Sequence, residues 1–261
     1  MAESVPTTLV AAQQVAQQAC HLRAPNGIAY AIYGEGTPPT LEIERLVQAV
    51  PRTIAAALAR KVYFFVPLVM SDDASQGQGL RRSEPVMVAA AYAAELTEVA
   101  ICHRNVTLEA GDGVFISSRL LSDRFALAFE FFINVGHAFV DAIGVPTSFA
   151  ELAWAQVVSD VRGETSQDAW ESRNLALATG PVDGKPRIDE RAKTSYLESA
   201  FSDALAIYLL SLAVDFDYAE LREREYPLLA PQALAERLRL VAKLFHPNPG
   251  YEFAIRYRRR A

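Results

Sequence analysis

Residues 125–143 read FALAFEFFINVGHAFVDAI, an apolar run interrupted by Glu130, Asn134, His137 and Asp141. These four are spaced by four, three and four residues, so a helix carries all of them on one face. A helix apolar on its remaining sides is expected to be buried. Polar groups facing an interior need partners, which makes this stripe the first candidate for a site. Gly144 and Pro146 supply the expected stop. The run is long enough to consider as a membrane span. Glu130, His137 and Asp141 would be costly in lipid, however, so a buried helix of a soluble protein is expected.

Outward from this helix the chain reads as α+β and mainly helical, with two long apolar helices and a few short strands. Upstream, residues 4–20 suit a helix and 28–33 a short strand. Thr40 is placed to cap a helix over 41–50, and Pro51 starts another. Residues 62–69, VYFFVPLV, predict a buried strand that Pro67 pushes towards a sheet edge. The stretch 71–84 is a polar, glycine-containing loop, and Pro85 is placed to open a helix over 86–99, with Ser83 as its cap. Strands are expected at 99–106 and 113–117. Downstream, Ser148 with Glu151 forms a capping-box pattern. A short helix is expected at 167–176, the second long helix at 191–213, an amphipathic helix from Pro231, and a final strand near 251–259. The whole, 1–261, reads as one globular domain with a C-terminal subregion at 215–261.

With 261 residues, 51% of them hydrophobic, the chain can bury a sizeable core. A net charge of -6 argues against a nucleic-acid partner, the short cluster Arg256, Arg258, Arg259 and Arg260 notwithstanding. The two cysteines, Cys20 and Cys102, form no CxxC pair, so free, partly buried thiols in a reducing, cytoplasmic setting are expected. The N-terminal residues lack the basic and apolar pattern of a signal peptide.

His137 and Asp141 are one turn apart, so the carboxylate can fix the imidazole tautomer and raise its basicity. Glu130 and His137 are two turns apart, about 10 Å along the axis, with Asn134 between them. Gly136, His137, Ala138, Asp141 and Pro146, following the strand-like 114–121, resemble the active helix of zincin metallopeptidases. The resemblance is degenerate. In place of His-Glu-x-x-His the chain has Ile133 and Asn134 where the first ligand and the general base belong, and Asn134 cannot take a proton from water. It implies His137 as a metal ligand, with a third ligand from a later helix. Glu198 and Asp203 lie in a run similar to the zincin E-x-x-A-D-x-x-A, and Glu151 is nearer. The implied metal is zinc or iron, on a zincin-like scaffold without standard peptidase chemistry. Independently of that family, Glu130, His137, Glu198 and Asp203 can meet between two helices and hold iron, manganese or zinc, although no Glu-x-x-His pair occurs.

Other residues carry less. Adjacent residues on a strand point to opposite faces, so Cys102 and His103 do not make a nucleophile–base pair; a buried Cys102 and an exposed His103 are expected. The acidic and basic residues of 215–225, together with Arg237, read as a solvated charged face. There is no GxGxxG, GxxxxGK[ST] or GxSxG. Three readings stay open: a zincin-like protein binding a metal or small ligand at the Glu130/His137 face, with Asn134 lining it; a non-catalytic protein-interaction domain; and a metal-independent small-molecule enzyme using His137 and Asp141.

Overall fold

The run KVYFFV owes its continuous apolar character to burial on both faces of a sheet. In the computed structural model, which describes residues 8–71, 85–109, 111–121, 123–178, 188–221 and 226–256, it forms β4 (Lys61–Val66). Strand β3 (Ala29–Ile32) and strand β9 (Gly111–Ser117) flank it, both parallel to it. Strand β2 (His21–Arg23) adds antiparallel to β3, and β8 (His103–Leu108) antiparallel to β9, giving the order β2-β3-β4-β9-β8. Successive β4 side chains alternate faces. Phe64 stacks on Phe115 at 4.5 Å, over a cluster containing Ala12, Val15 and Val88. Tyr63 and Phe65 meet Phe131.

A second sheet has the order β1-β6-β5-β7, all antiparallel: β1 (Leu9–Ala11), β5 (Leu68–Met70), β6 (Met87–Ala89) and β7 (Ala100–Ile101). Ser117 ties the sheets together, accepting from the Val69 N–H at 2.7 Å and donating to the Ile101 carbonyl at 2.5 Å. Helix α1 (Ala12–Gln18) follows β1, and α2 (Thr40–Gln48) and α3 (Arg52–Ala57) link β3 to β4. The remaining helices are α4 (Arg124–Ile143), α5 (Thr147–Val158), α6 (Gln167–Leu177), α7 (Glu190–Ala213) and α8 (Pro231–Leu244). Internal contacts divide the chain into two compact units, Met1–Phe131 and Phe132–Ala261, with the boundary inside α4.

In the second, helical unit, α5, α6 and α8 pack around α7. Residues Ala200 to Leu210 of α7 are buried on every side. Phe201 is central, in ring contact with Phe139, Phe149 and Phe245. A 3-10 turn, Tyr218–Leu221, leads towards α8, and the Tyr218 hydroxyl donates to the Leu229 carbonyl.

Several expectations are corrected. Two sheets of four and five strands replace the few strands of a mainly helical chain. Among the described helices only α4 is long and apolar enough to cross a membrane, and 56% of its most apolar window is buried within the protein. The other long helix, α7, opens with the charged turns ERAKTSYLES before its apolar part, so it is not a second wholly apolar helix. The helix expected at 4–20 begins only at Ala12, because Leu9–Ala11 pairs with β6. The helix expected after Pro85 is instead β6 and a 3-10 turn, Ala94–Val99. Pairing with β1 and β5 outweighs the helix propensity of the alanines there. Pro67 does not make β4 an edge strand; it stands between β4 and β5, where the chain changes sheets and no ladder N–H is required. Helix α5 starts after Pro146 with no side-chain cap, so Ser148 and Glu151 form no capping box. No strand forms over 251–256. The loop 72–84, Ser83 included, and residues 257–261 lie outside the described residues.

Candidate functional site

Helix α4 forms with the expected register and stop, but the four polar residues of its stripe meet different environments. Glu130 is partly buried, and His103 Nδ1 on β8 lies 2.5 Å from its Oε1, the imidazole donating to the carboxylate. Asn134 is buried, whereas His137 and Asp141 are exposed. No hydrogen bond joins His137 to Asp141 among the described residues. The expected order of Cys102 and His103 is reversed: Cys102 is exposed and His103 is the partly covered residue, because it turns towards Glu130. Although Cys102 is exposed, desolvation by the surrounding protein, and then the Glu130 charge, push its thiol up, which favours the protonated form. Cys20 is exposed as well, so neither thiol is partly buried as expected.

The metal ligands drawn from the zincin resemblance are not assembled. Glu198 and Glu151 are exposed, while Asp203 is buried with its Oδ2 accepting the Thr165 hydroxyl at 2.8 Å. Glu198 and Asp203 are five residues apart on α7, which puts them on different sides of the helix. The described residues contain no group of three or more His, Cys, Asp or Glu that could hold a metal ion. Gly136 of the same pattern has a packing role. A Cβ there would lie 2.7 Å from the Ser202 carbonyl oxygen and 2.9 Å from Ser202 Oγ, so α4 and α7 touch through a residue without a side chain. Gly136→Ala is expected to cost about 2 kcal/mol, despite alanine's better helix propensity, because a backbone atom must move. Urea unfolding read by tryptophan emission checks this, since Trp154 and Trp170 both lie in the helical unit.

The densest polar cluster is elsewhere in the helical unit and was not read from the sequence. Glu164 and Arg237 are both fully buried. Glu164 Oε2 accepts from Arg237 Nη1 at 3.0 Å, and its Oε1 accepts from Arg173 Nη1 at 3.3 Å and from the Tyr196 hydroxyl at 3.0 Å. Arg237 also donates from Nε to Gln156 Oε1 at 2.8 Å and from Nη2 to Tyr196 at 3.0 Å. Burial is the largest influence and works against the Arg237 charge, but Glu164 and Tyr196 together outweigh it and hold the guanidinium protonated. Arg237 is therefore a core cation, not part of a solvated face. Its sequence signal was the α8 stripe Leu234, Leu238 and Val241, into which position 237 falls. Glu164 and Gln156 gave no signal, because their partners are far away in sequence.

Asp203 borders this cluster. Burial pushes its carboxyl from the ordinary 3.8 up to about 6, against the opposing effects of Ser166, Thr165 and Arg237. A folded-state pKa above the unfolded one favours folding below the unfolded value, and that stability is lost as pH rises through about 6. Asp203→Asn keeps an acceptor for Thr165 and cannot ionise. Its stability relative to the parent is expected to rise by about 2 kcal/mol between pH 4 and 7, checked by urea unfolding at a series of pH values.

The helical unit also holds a cleft of about 200 Å³. Its floor is the buried Ile207, Leu234, Ala235 and Leu238, and its sides are Val214, Phe216 and Phe253. Ser211, Asp215 and Arg256 supply polar groups, the last two exposed. The segment carrying Phe253 is anchored by the edge contact of that ring with Tyr208, at 5.3 Å. Compared with protein-family models and with curated proteins, the sequence finds no match.

Proposed function

We propose that this protein binds a small molecule non-catalytically, and that the cleft beside α7 and α8 is its binding compartment. The observation carrying the reading is a cleft of about 200 Å³ whose lining combines the buried Ile207, Leu234, Ala235 and Leu238 with polar groups of Ser211, Asp215, Tyr218 and Arg256, the two kinds of group that a small-ligand site needs. This reading retains the small ligand expected from the sequence and moves it away from the Glu130/His137 face. There, Glu130 is engaged by His103, and His137 and Asp141 face solvent. The buried cluster around Glu164 is a structural centre. Its carboxylate is satisfied by two arginines and a tyrosine.

The test is a titration with indole followed by amide NMR. Shifts are expected to cluster at residues 207–216, 231–238 and 253–256. Ala235→Leu, which places extra volume on the cleft floor, should weaken binding by about tenfold while leaving the fold intact. Shifts absent from these segments, or affinity untouched by the leucine, would rule the reading out.

A further inference from the structure

We infer that Asp203 is a proton latch on the cleft: its protonated carboxyl holds the segment 163–166 on α7, and its ionisation releases that segment and, with it, the Tyr218 side of the cleft. The inference rests on the binding reading above and adds the regulation of that site. Asp203 lies in the buried part of α7. Its Oδ2 accepts the Thr165 hydroxyl at 2.8 Å, and the Ser166 side chain is hydrogen-bonded to the same carboxyl. Both partners are neutral, and among the described residues Asp203 is in no ion pair. Two charged groups face it: Glu164, on the same segment, repels an ionised Asp203, and Arg237, on α8, attracts one. The Arg237 N–H groups are directed to Gln156, Glu164 and Tyr196, however. From α6, Arg173 is turned to Glu164 and the Gly163 carbonyl. A buried carboxyl held by hydroxyls alone is stable when neutral. Once ionised it gains from water, which reaches it when the segment lifts. Burial accordingly pushes Asp203 up to about 6, with Glu164 adding to the rise against Ser166, Thr165 and Arg237.

The segment is tied in turn to the cleft. The Thr165 carbonyl accepts the Tyr226 hydroxyl at 3.0 Å. The Glu164 N–H donates to the Pro227 carbonyl at 2.9 Å, and the Glu164 carbonyl accepts the Leu229 N–H at 2.9 Å. The Ala230 N–H donates to the Arg162 carbonyl, also at 2.9 Å. The Leu229 carbonyl accepts the Tyr218 hydroxyl, and Tyr218 lines the cleft together with Pro231, the first residue of α8. Lifting 163–166 therefore frees 226–230 and removes the anchor of Tyr218. A ligand that needs the closed cleft binds the latched state alone, so its apparent affinity falls with the latched fraction. Linkage requires the converse, that the bound ligand favours protonated Asp203.

The experiment titrates the full-length protein and Asp203→Asn with indole, which is neutral throughout, at about pH 5 and about pH 7.5. The parent should bind about fivefold more weakly at the higher pH. Asp203→Asn keeps the acceptor for Thr165 and cannot ionise, so it should bind equally at both, with the affinity of the parent at the lower pH. A second measurement needs neither ligand nor variant. Hydrogen-exchange protection of the Leu229 and Ala230 amides, corrected for the intrinsic pH dependence of exchange, should fall in the parent between the two pH values. Indole binding that is level with pH, or protection that does not fall, would overturn the latch and leave the compartment standing. A pH dependence that persists in Asp203→Asn would assign it to other groups and also overturn the latch. Absence of indole binding at both pH values would remove the compartment itself, and the inference with it.

Discussion

Glu164→Ala is expected to destabilise the helical unit by about 3–5 kcal/mol. The carboxylate is fully buried, and among the described residues it is the only carboxylate hydrogen-bonded to Arg237, itself fully buried. Removing it leaves that guanidinium in the core with neutral partners only, Gln156 and Tyr196. Arg173 keeps the Gly163 carbonyl and a distant exposed contact with Asp160 at 3.9 Å. The cost is that of an uncompensated charge, not the net worth of the pair. The double variant Glu164→Leu/Arg237→Met should accordingly recover part of the loss. Urea unfolding followed by tryptophan emission reads the effect in the right unit, because both tryptophans are there. A loss below about 1 kcal/mol would mean that water reaches the cluster.

Gly163→Ala is expected to cost about 4 kcal/mol for a different reason. Gly163 has φ +81°, a left-handed conformation that disfavours any side chain, and a Cβ there would lie 2.2 Å from the Leu228 carbonyl oxygen and 2.4 Å from that of Pro227. Those carbonyls belong to a short parallel pairing: the Glu164 N–H donates to Pro227 at 2.9 Å, and the Leu229 N–H donates to Glu164 at 2.9 Å. Room for a Cβ can come only by separating these segments, which also displaces Glu164 from its arginines. Gly250, with φ +90° and nothing within 4 Å of its Cβ position, is the control. Gly250→Ala should cost only about 1 kcal/mol, the conformational part alone. Because Gly163 positions Glu164, the two alanine variants combined should cost less than the sum of their separate effects. The same unfolding assay decides both points.

Local pattern made part of this fold legible. The period of 125–143 gave α4 and its stop at Gly144, the aromatic and β-branched run gave β4, and Pro231 gave the start of α8. Strands of two or three residues were not legible. Met87–Ala89 carries too few residues for an alternation to register, and its strand state exists only through its two neighbours. The candidate site was less legible still. The spacing of Glu130, Asn134, His137 and Asp141 put them on one helix face, but which of them would be covered depended on residues distant in sequence. His103 found Glu130 across 27 positions. Gly136, which looked like part of a metallopeptidase pattern, is the contact point of two helices.

By itself, the sequence determined where the long helices run, because their periodicity is a property of consecutive residues. It also determined that α4 would present a polar stripe. Only the tertiary structure decided what that stripe meets, which arginine is buried, and where a hollow is left. Glu164 and Arg237 are separated by 73 positions, and the cleft walls come from α7, α8 and the C-terminal segment. Burial and charge compensation are sums over neighbours that packing brings together, and no local stretch of this chain contains those neighbours.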